Sequence, residues 1–194
     1  MCNLTRMNFD KAFIKKLKSR DGKTQKAFYQ YLAPKMYGIC LRFANSIPEA
    51  DDMLQEGFIR VFNNLKNFRG EGSLEGWVRR TIINTAINLY KKRIRQGIKT
   101  NLDSIGDLAD DKSFIIEKMT ADELLEVIRK LPEGYRMVFN LNIIEGYSHK
   151  EIGEMLDISE STSKSQLSRA RKVLRNRLKS KKDSKQRGKK PDKH

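Results

Sequence analysis

Residues 146–174 read GYSHKEIGEMLDISESTSKSQLSRARKVL, and this stretch decides the fold. Ser148 followed by Glu151 has capping-box spacing: the hydroxyl takes one orphan amide and the carboxylate reaches back to another. That predicts a helix from His149 to Leu156. Asp157-Ile158-Ser159 is a short turn, and Ser159 to Thr162 offer caps for a second helix from about Ser161 to Leu178. Gly153 sits where two helices joined by so short a turn approach each other, and a larger side chain would push them apart. Ile152, Leu156, Ile158, Leu167 and Leu174 are spaced to fill the gap between them. The second helix carries Lys164, Arg169, Arg171, Lys172, Arg175 and Arg177, with no acidic residue between 162 and 178. A helix-turn-helix of this kind fits the major groove, with N-terminal side chains at base edges and later cations on phosphates. A basic amphipathic helix on a membrane or a protein is the competing reading. The short turn and the capped first helix favour DNA.

The same period runs upstream. Phe9, Phe13, Ile14 and Leu17 recur at three and four residues, and Ala27, Phe28, Tyr31 and Leu32 form a second run with Pro34 just after it. Met36, Tyr37, Cys40, Leu41 and Ala44 follow it. Ser46 and Pro48 open another helix, whose apolar stripe is Leu54, Phe58, Val61, Phe62 and Leu65. Asn67 to Ser73 is a glycine-rich polar loop. Ser73 caps a helix from about Leu74 to Arg95, with Trp77, Ile82, Ile83, Ala86, Ile87 and Tyr90 for packing. Periodicity fades between Gly97 and Thr120. It returns at Leu124, Leu125, Ile128 and Leu131, breaks at Pro132-Glu133-Gly134, and resumes with Tyr135, Val138, Phe139, Leu141 and Ile143. No run alternates as a strand does. The expected fold is all-α: two small helical domains joined by a flexible acidic linker.

Composition agrees with a polyanion partner. The 194 residues carry a formal net charge of +16, and residues 162–194 alone hold 14 basic and 2 acidic residues. Segment 79–99 has 7 basic and no acidic residues, whereas 101–126 has 8 acidic and 2 basic. Two separated basic patches suggest a nucleic acid gripped at two places. No stretch reaches the roughly 18 apolar residues of a membrane span, and the N-terminus lacks a secretory pattern, so a cytoplasmic protein without membrane insertion is expected. Cys2 and Cys40 cannot build a disulfide framework. With only His149 and His194 as histidines, no metal site, cofactor or catalytic centre is expected.

Three clusters together resemble the sigma-70 family of bacterial RNA polymerase sigma factors, in the short extracytoplasmic-function (ECF) form. Leu131-Pro132-Glu133-Gly134-Tyr135-Arg136, Glu145 to Ser148, Glu151-Ile152 and Ser165 to Arg171 resemble sigma region 4. Ala50 to Phe58 resembles the polymerase-docking helix of region 2. Phe68 to Leu74, Trp77 and Ile83-Asn84 resemble that region's promoter-opening part. With the resemblance, which covers about residues 24–97 and 120–178, the chain divides into a region 2 domain (1–97), an acidic linker (98–119) and a region 4 domain (120–178); residues 179–194, with eight basic residues and no large apolar side chain, are expected to be a basic, disordered tail. It implies that Asp51, Asp52, Gln55 and Glu56 meet a basic coiled coil of the largest polymerase subunit, and it makes the polymerase flap a second contact. It implies that the loop with Phe68, Arg69, Gly70 and Ser73 takes an extruded base of the −10 element, with Trp77, Arg80 and Asn84 beside it. Lys164, Ser165, Gln166, Ser168, Arg169 and Arg171 fall at the positions that meet the −35 element. The resemblance also implies core RNA polymerase and promoter DNA as partners, and an anti-sigma factor of the kind that restrains many members. The sequence departs from the commonest pattern at Ser161, Ser163 and Gln166, where glycine, valine and arginine are frequent. The rival reading is a stand-alone helix-turn-helix regulator with an N-terminal sensing or dimerising domain; an enzyme acting on nucleic acid is the weakest.

Overall fold

The structure, a computed structural model, describes residues 7–97 and 120–187, and every described element is helical. The chain separates into two compact units, Met1–Lys92 and Arg93–His194. The acidic linker 98–119 and the tail beyond 187 lie outside the described residues.

In the first unit, α1 (Lys11–Lys18) starts where Asp10 accepts the Phe13 amide at 2.7 Å. α2 (Gly22–Phe43) starts where Asp21 accepts the Thr24 amide at 2.8 Å. Ser46 caps α3 (Ile47–Asn64) as expected, with Pro48 in its first turn. A 3-10 turn at Leu65–Asn67 follows. α4 spans Leu74–Arg95, matching the expected boundaries. The core gathers Leu17 of α1, Phe28, Leu32, Met36 and Phe43 of α2, Met53, Phe58 and Val61 of α3, and Val78, Ile82 and Ile83 of α4. Each such side chain contributes roughly 1.5–3 kcal/mol by leaving water. Cys40 is part of this core, and burial pushes its thiol up to about 12, so it packs as an apolar group.

Pro34 falls between the two apolar runs, and α2 carries both of them straight through it. A proline removes one ladder bond, but the buried residues Phe28, Leu32, Met36, Ile39, Cys40 and Phe43 form one continuous face across it, and that burial outweighs the lost bond.

In the second unit, α5 (Ala121–Arg129) begins with a full capping box of Thr120 and Glu123. α6 (Glu133–Phe139) follows Pro132 and passes into a π-helical turn over Asn140–Ile144, closed by a bond from the Glu145 amide to the Asn140 carbonyl at 3.0 Å. Gly146 then turns the chain with φ of 80°. The Ser148–Glu151 capping box opens α7 (His149–Leu156), and α8 (Glu160–Arg187) packs against α5, α6 and α7. Arg136 is almost wholly buried and donates to the carbonyls of Arg129 and Leu131 at 3.0 and 3.1 Å. Its charge thus lies on the C-terminal carbonyls of α5, where a cation is favoured.

Two expectations shift in this unit. Ile143, read as core, is 40 % exposed, because the wider π turn rotates it away from the face that Leu141 occupies. The last helix continues to Arg187, so residues 179–187 are helical rather than disordered tail. No proline or glycine lies between Gly153 and Gly188, and extending a helix already nucleated and packed costs far less than starting one.

Candidate nucleic-acid interface

Three surfaces carry the residues singled out by sequence. The first lies on α3 and α4. Asp51, Asp52 and Gln55 are exposed; Glu56 is half-buried and accepts from Arg60 at 2.8 Å. Asp52, Gln55 and Glu56 line a groove of about 440 Å³ with Ile59 and Arg60 from α3. Asn88, Leu89 and Lys92 of α4 form its other wall. Asp51 lies outside it. Ile59 is 56 % exposed in the middle of this polar face, an apolar contact that motif reading missed. Its only signal was an isoleucine off the buried stripe. Lys92, one of the basic residues of segment 79–99, belongs to this groove.

The second surface is the arch between α3 and α4. Phe68 is 4 % exposed, and its ring lies 5.7 Å from that of Trp77. Phe68 is therefore an anchor and not a platform for a base. Arg69 to Ser73 are exposed. Gly70 and Gly72 have φ of 82° and 79°, and a Cβ at either would meet nothing. Glycine is needed there for the left-handed backbone and not for space. At the far foot, Ser73 Oγ accepts the Gly76 amide at 3.0 Å, and Leu74 is buried. The arch thus stands on two fixed feet with about five exposed residues between them. Trp77, Arg80 and Asn84 recur on one face of α4, at spacings of three and four. Arg80 and Asn84 are exposed and Trp77 is half-buried.

The third surface is the N-terminal half of α8. Lys164, Ser165, Ser168 and Arg169 are exposed together. Lys164 pairs with Glu160 at 2.6 Å, and Ser165 donates to the Thr162 carbonyl at 2.9 Å. Gln166 does not join them: it is half-buried, with Oε1 shut from solvent and without a hydrogen-bond partner. Arg171 is half-buried. The unusual serines are accommodated by side-chain bonds. Ser159 Oγ lies 2.8 Å from Ser161 Oγ and accepts the Thr162 amide at 3.0 Å. Ser163, fully buried, meets His149 Nδ1 at 2.9 Å, which ties α7 to α8. Burial, with the charges of Lys164 and Arg171, holds the His149 imidazole below its usual range, while Glu160 pulls the other way. Sequence reasoning gave His149 no role. Its signal was a polar residue at the start of α7, fourteen positions before a serine standing where an apolar residue is common.

Among the described residues, no group of three or more His, Cys, Asp or Glu side chains is placed to hold a metal ion. No described helix is long and apolar enough to cross a membrane. The arrangement offers exposed cations, a stiff glycine arch and a mixed polar–apolar groove, all suited to binding.

Comparison with known proteins gives matches along both units. The family model described as Sigma-70 region 2 matches residues 28–96, and that described as Sigma-70, region 4 matches residues 121–174. The ECF RNA polymerase sigma-E factor of Escherichia coli (strain K12) is 24 % identical over 182 residues, covering 87 % of this chain and 94 % of the relative. The ECF RNA polymerase sigma factor SigW of Bacillus subtilis (strain 168) is 27 % identical over 176 residues, covering 85 % and 94 %. The sigma factor RpoE from Bartonella quintana, solved in complex with the anti-sigma factor NepR, has a similar fold, with a TM-score of 0.50 and 19 % identity over 79 % of this chain and 96 % of that one.

Proposed function

The chain belongs to the sigma-70 family, and we propose that it works as an ECF sigma factor through the three surfaces described above. It binds core RNA polymerase and directs initiation at promoters with −10 and −35 elements. The groove beside Asp52, Gln55 and Glu56 docks on the polymerase, with Ile59 as the apolar contact inside a charged rim. Such a face combines steering by charge with a desolvated centre. The arch 69–73, with Arg80 and Asn84, receives an extruded base of the −10 strand. An exposed glycine backbone allows close approach to a base, and single-stranded bases are read by pockets and stacking. Lys164, Ser165, Ser168 and Arg169 face the −35 duplex, where a lysine or arginine can read guanine or hold phosphate. Gln166 is assigned to shaping the helix rather than to reading adenine. The chain makes and breaks no bond itself and acts in the cytoplasm, beside the polymerase. An anti-sigma factor that covers the groove would silence it.

The observation that carries this reading is the coexistence, in one chain, of the region 2 and region 4 matches with an exposed acidic–apolar groove and an exposed basic helix face. The test is run-off transcription with purified core polymerase. Addition of the chain should produce discrete promoter-dependent transcripts. The double variant Asp52→Lys, Glu56→Lys should lower polymerase affinity about ten-fold or more while far-UV dichroism stays unchanged. Tight duplex binding without any polymerase-dependent transcript would favour the stand-alone regulator.

A further inference from the structure

Lys18 lies at the end of α1, outside the residues matched by the region 2 model. Its Nζ donates to the Phe68 carbonyl at 2.7 Å, a bond that spans fifty positions of sequence. Phe68 is the last buried residue before the exposed arch. Its backbone, with φ of −68° and ψ of 111°, sets the direction in which Arg69 leaves the core. Holding that carbonyl fixes ψ of Phe68, and so fixes the root of the arch.

The donor is itself well anchored. Leu17 is fully buried, α1 packs on α2 and on the 65–67 turn, and Phe9 and Phe13 pack against Phe28 at 5.7 and 6.4 Å. The other foot of the arch is the Ser73 cap, which belongs to α4. The Lys18 bond ties the near foot of the arch to α1.

We propose that Lys18 is a positioning residue for −10 recognition: its ammonium pins the Phe68 carbonyl and holds the arch in the geometry that accepts a base. This rests on the assignment of residues 69–73 as the base-reading arch. A charge-assisted bond to a half-buried carbonyl is among the stronger single hydrogen bonds in a protein. Without it, the arch keeps its side chains but loses its fixed direction, and a site misplaced by about an ångström loses much of its power to orient.

The test uses holoenzyme assembled from core polymerase and the full chain, transcribing a promoter library randomised across the −10 element. Transcript counts give the ratio of preferred to disfavoured bases at each position. Lys18→Met should lower that ratio about five-fold at the position read by the arch, with polymerase affinity and the −35 preference within two-fold of the parent. Lys18→Arg, which keeps a charged donor, should restore most of the ratio; a merely structural role would not single out one promoter position. The paired variant Arg69→Ala, Glu71→Ala alters the arch directly. If it flattens the ratio and Lys18→Met does not, the role of Lys18 is overturned while the arch assignment stands. If neither changes the ratio, the arch assignment fails and the inference fails with it.

Discussion

Replacing Gly153 by alanine tests the packing of the helix-turn-helix most directly. A Cβ built at Gly153 would lie 2.8 Å from the Ile158 carbonyl oxygen, with the Ser159 carbonyl carbon at 3.7 Å and the Glu160 amide at 3.6 Å. The close atom is backbone, so no side-chain rotation relieves it. Restoring ordinary contact at about 3.4 Å requires the turn to withdraw by roughly 0.6 Å. That turn is held from the other side, because the Gly153 carbonyl accepts the amides of both Asp157 and Ile158, the latter at 3.0 Å. Asp157 also adopts a left-handed φ of 58°, which leaves little slack. Alanine gains about 1 kcal/mol of helix propensity. Overpacking against fixed backbone costs about 1–3 kcal/mol, and two strained hydrogen bonds add about 1 kcal/mol more. The net expectation is a loss of about 1–3 kcal/mol, confined to the second unit. Urea unfolding gives two readouts. Trp77 is the only tryptophan and reports on the first unit, whereas far-UV dichroism reports on both. The Trp77 transition should stay in place while part of the dichroism transition moves about 1 M lower, given slopes of 1–3 kcal/mol/M for small domains. An alanine variant that unfolds at the same or a higher urea concentration would refute the steric argument.

Two other substitutions probe sites rather than packing. Asn84 is exposed on the α4 face that runs beside the arch, so Asn84→Ala should change stability by less than about 0.5 kcal/mol; permanganate reactivity of the −10 thymines should nevertheless fall several-fold while polymerase affinity holds, and undiminished reactivity would remove Asn84 from the opening step. His149 predicts a pH effect. Its folded imidazole sits below the ordinary 6.5 because of burial, so the unfolded chain takes up the proton first as pH falls. Stability of the second unit should therefore decline from about pH 7 downward and level off once the folded imidazole is itself protonated. His149→Gln should flatten that decline between pH 7.5 and 5.5 in urea titrations, and an equal decline in both proteins would sink the assignment.

Much of the fold was legible because helices advertise their ends and faces. Ser148 with Glu151, Ser73, and Ser46 with Pro48 each mark a helix start through local chemistry that a short window contains. The helix Leu74–Arg95 could be bounded from sequence for that reason. Misreadings arose where the deciding interaction was distant. A window of ten residues leaves Pro34 undecided between a break and a helix interior; the buried face on both sides of it decides for the interior. The π turn at 140–144 leaves no local mark, since it inserts one residue into a ladder without changing residue types, and it turned Ile143 outward. Gln166 looked free to read bases because it falls at a position that the resemblance places against the −35 element. Its actual environment is set by the rotation of α8 against α6 and α7, which periodicity fixes only to within a residue.

The candidate site divides by a physical rule. Residues that would touch a partner are loosely held by the fold: Arg69, Asn84, Ser168 and Arg169 are exposed and could be exchanged with little effect on packing. Folding physics is therefore blind to them, and only motif order and spacing pointed there. The residues that hold those side chains in place are the opposite case. Lys18, Arg136 and the His149–Ser163 pair make bonds between elements, and a buried polar group that lost such a bond would cost about 1–3 kcal/mol. Geometry identifies Lys18 and a short motif does not, since two whole helices, α2 and α3, separate it from Phe68. Under the proposed function, specificity depends on both classes: the exposed side chains supply the chemistry, and the buried polar bonds fix where that chemistry is presented. A substitution in the second class should therefore alter promoter preference without removing a single contact to DNA, which no substitution of a freely exposed cation can do.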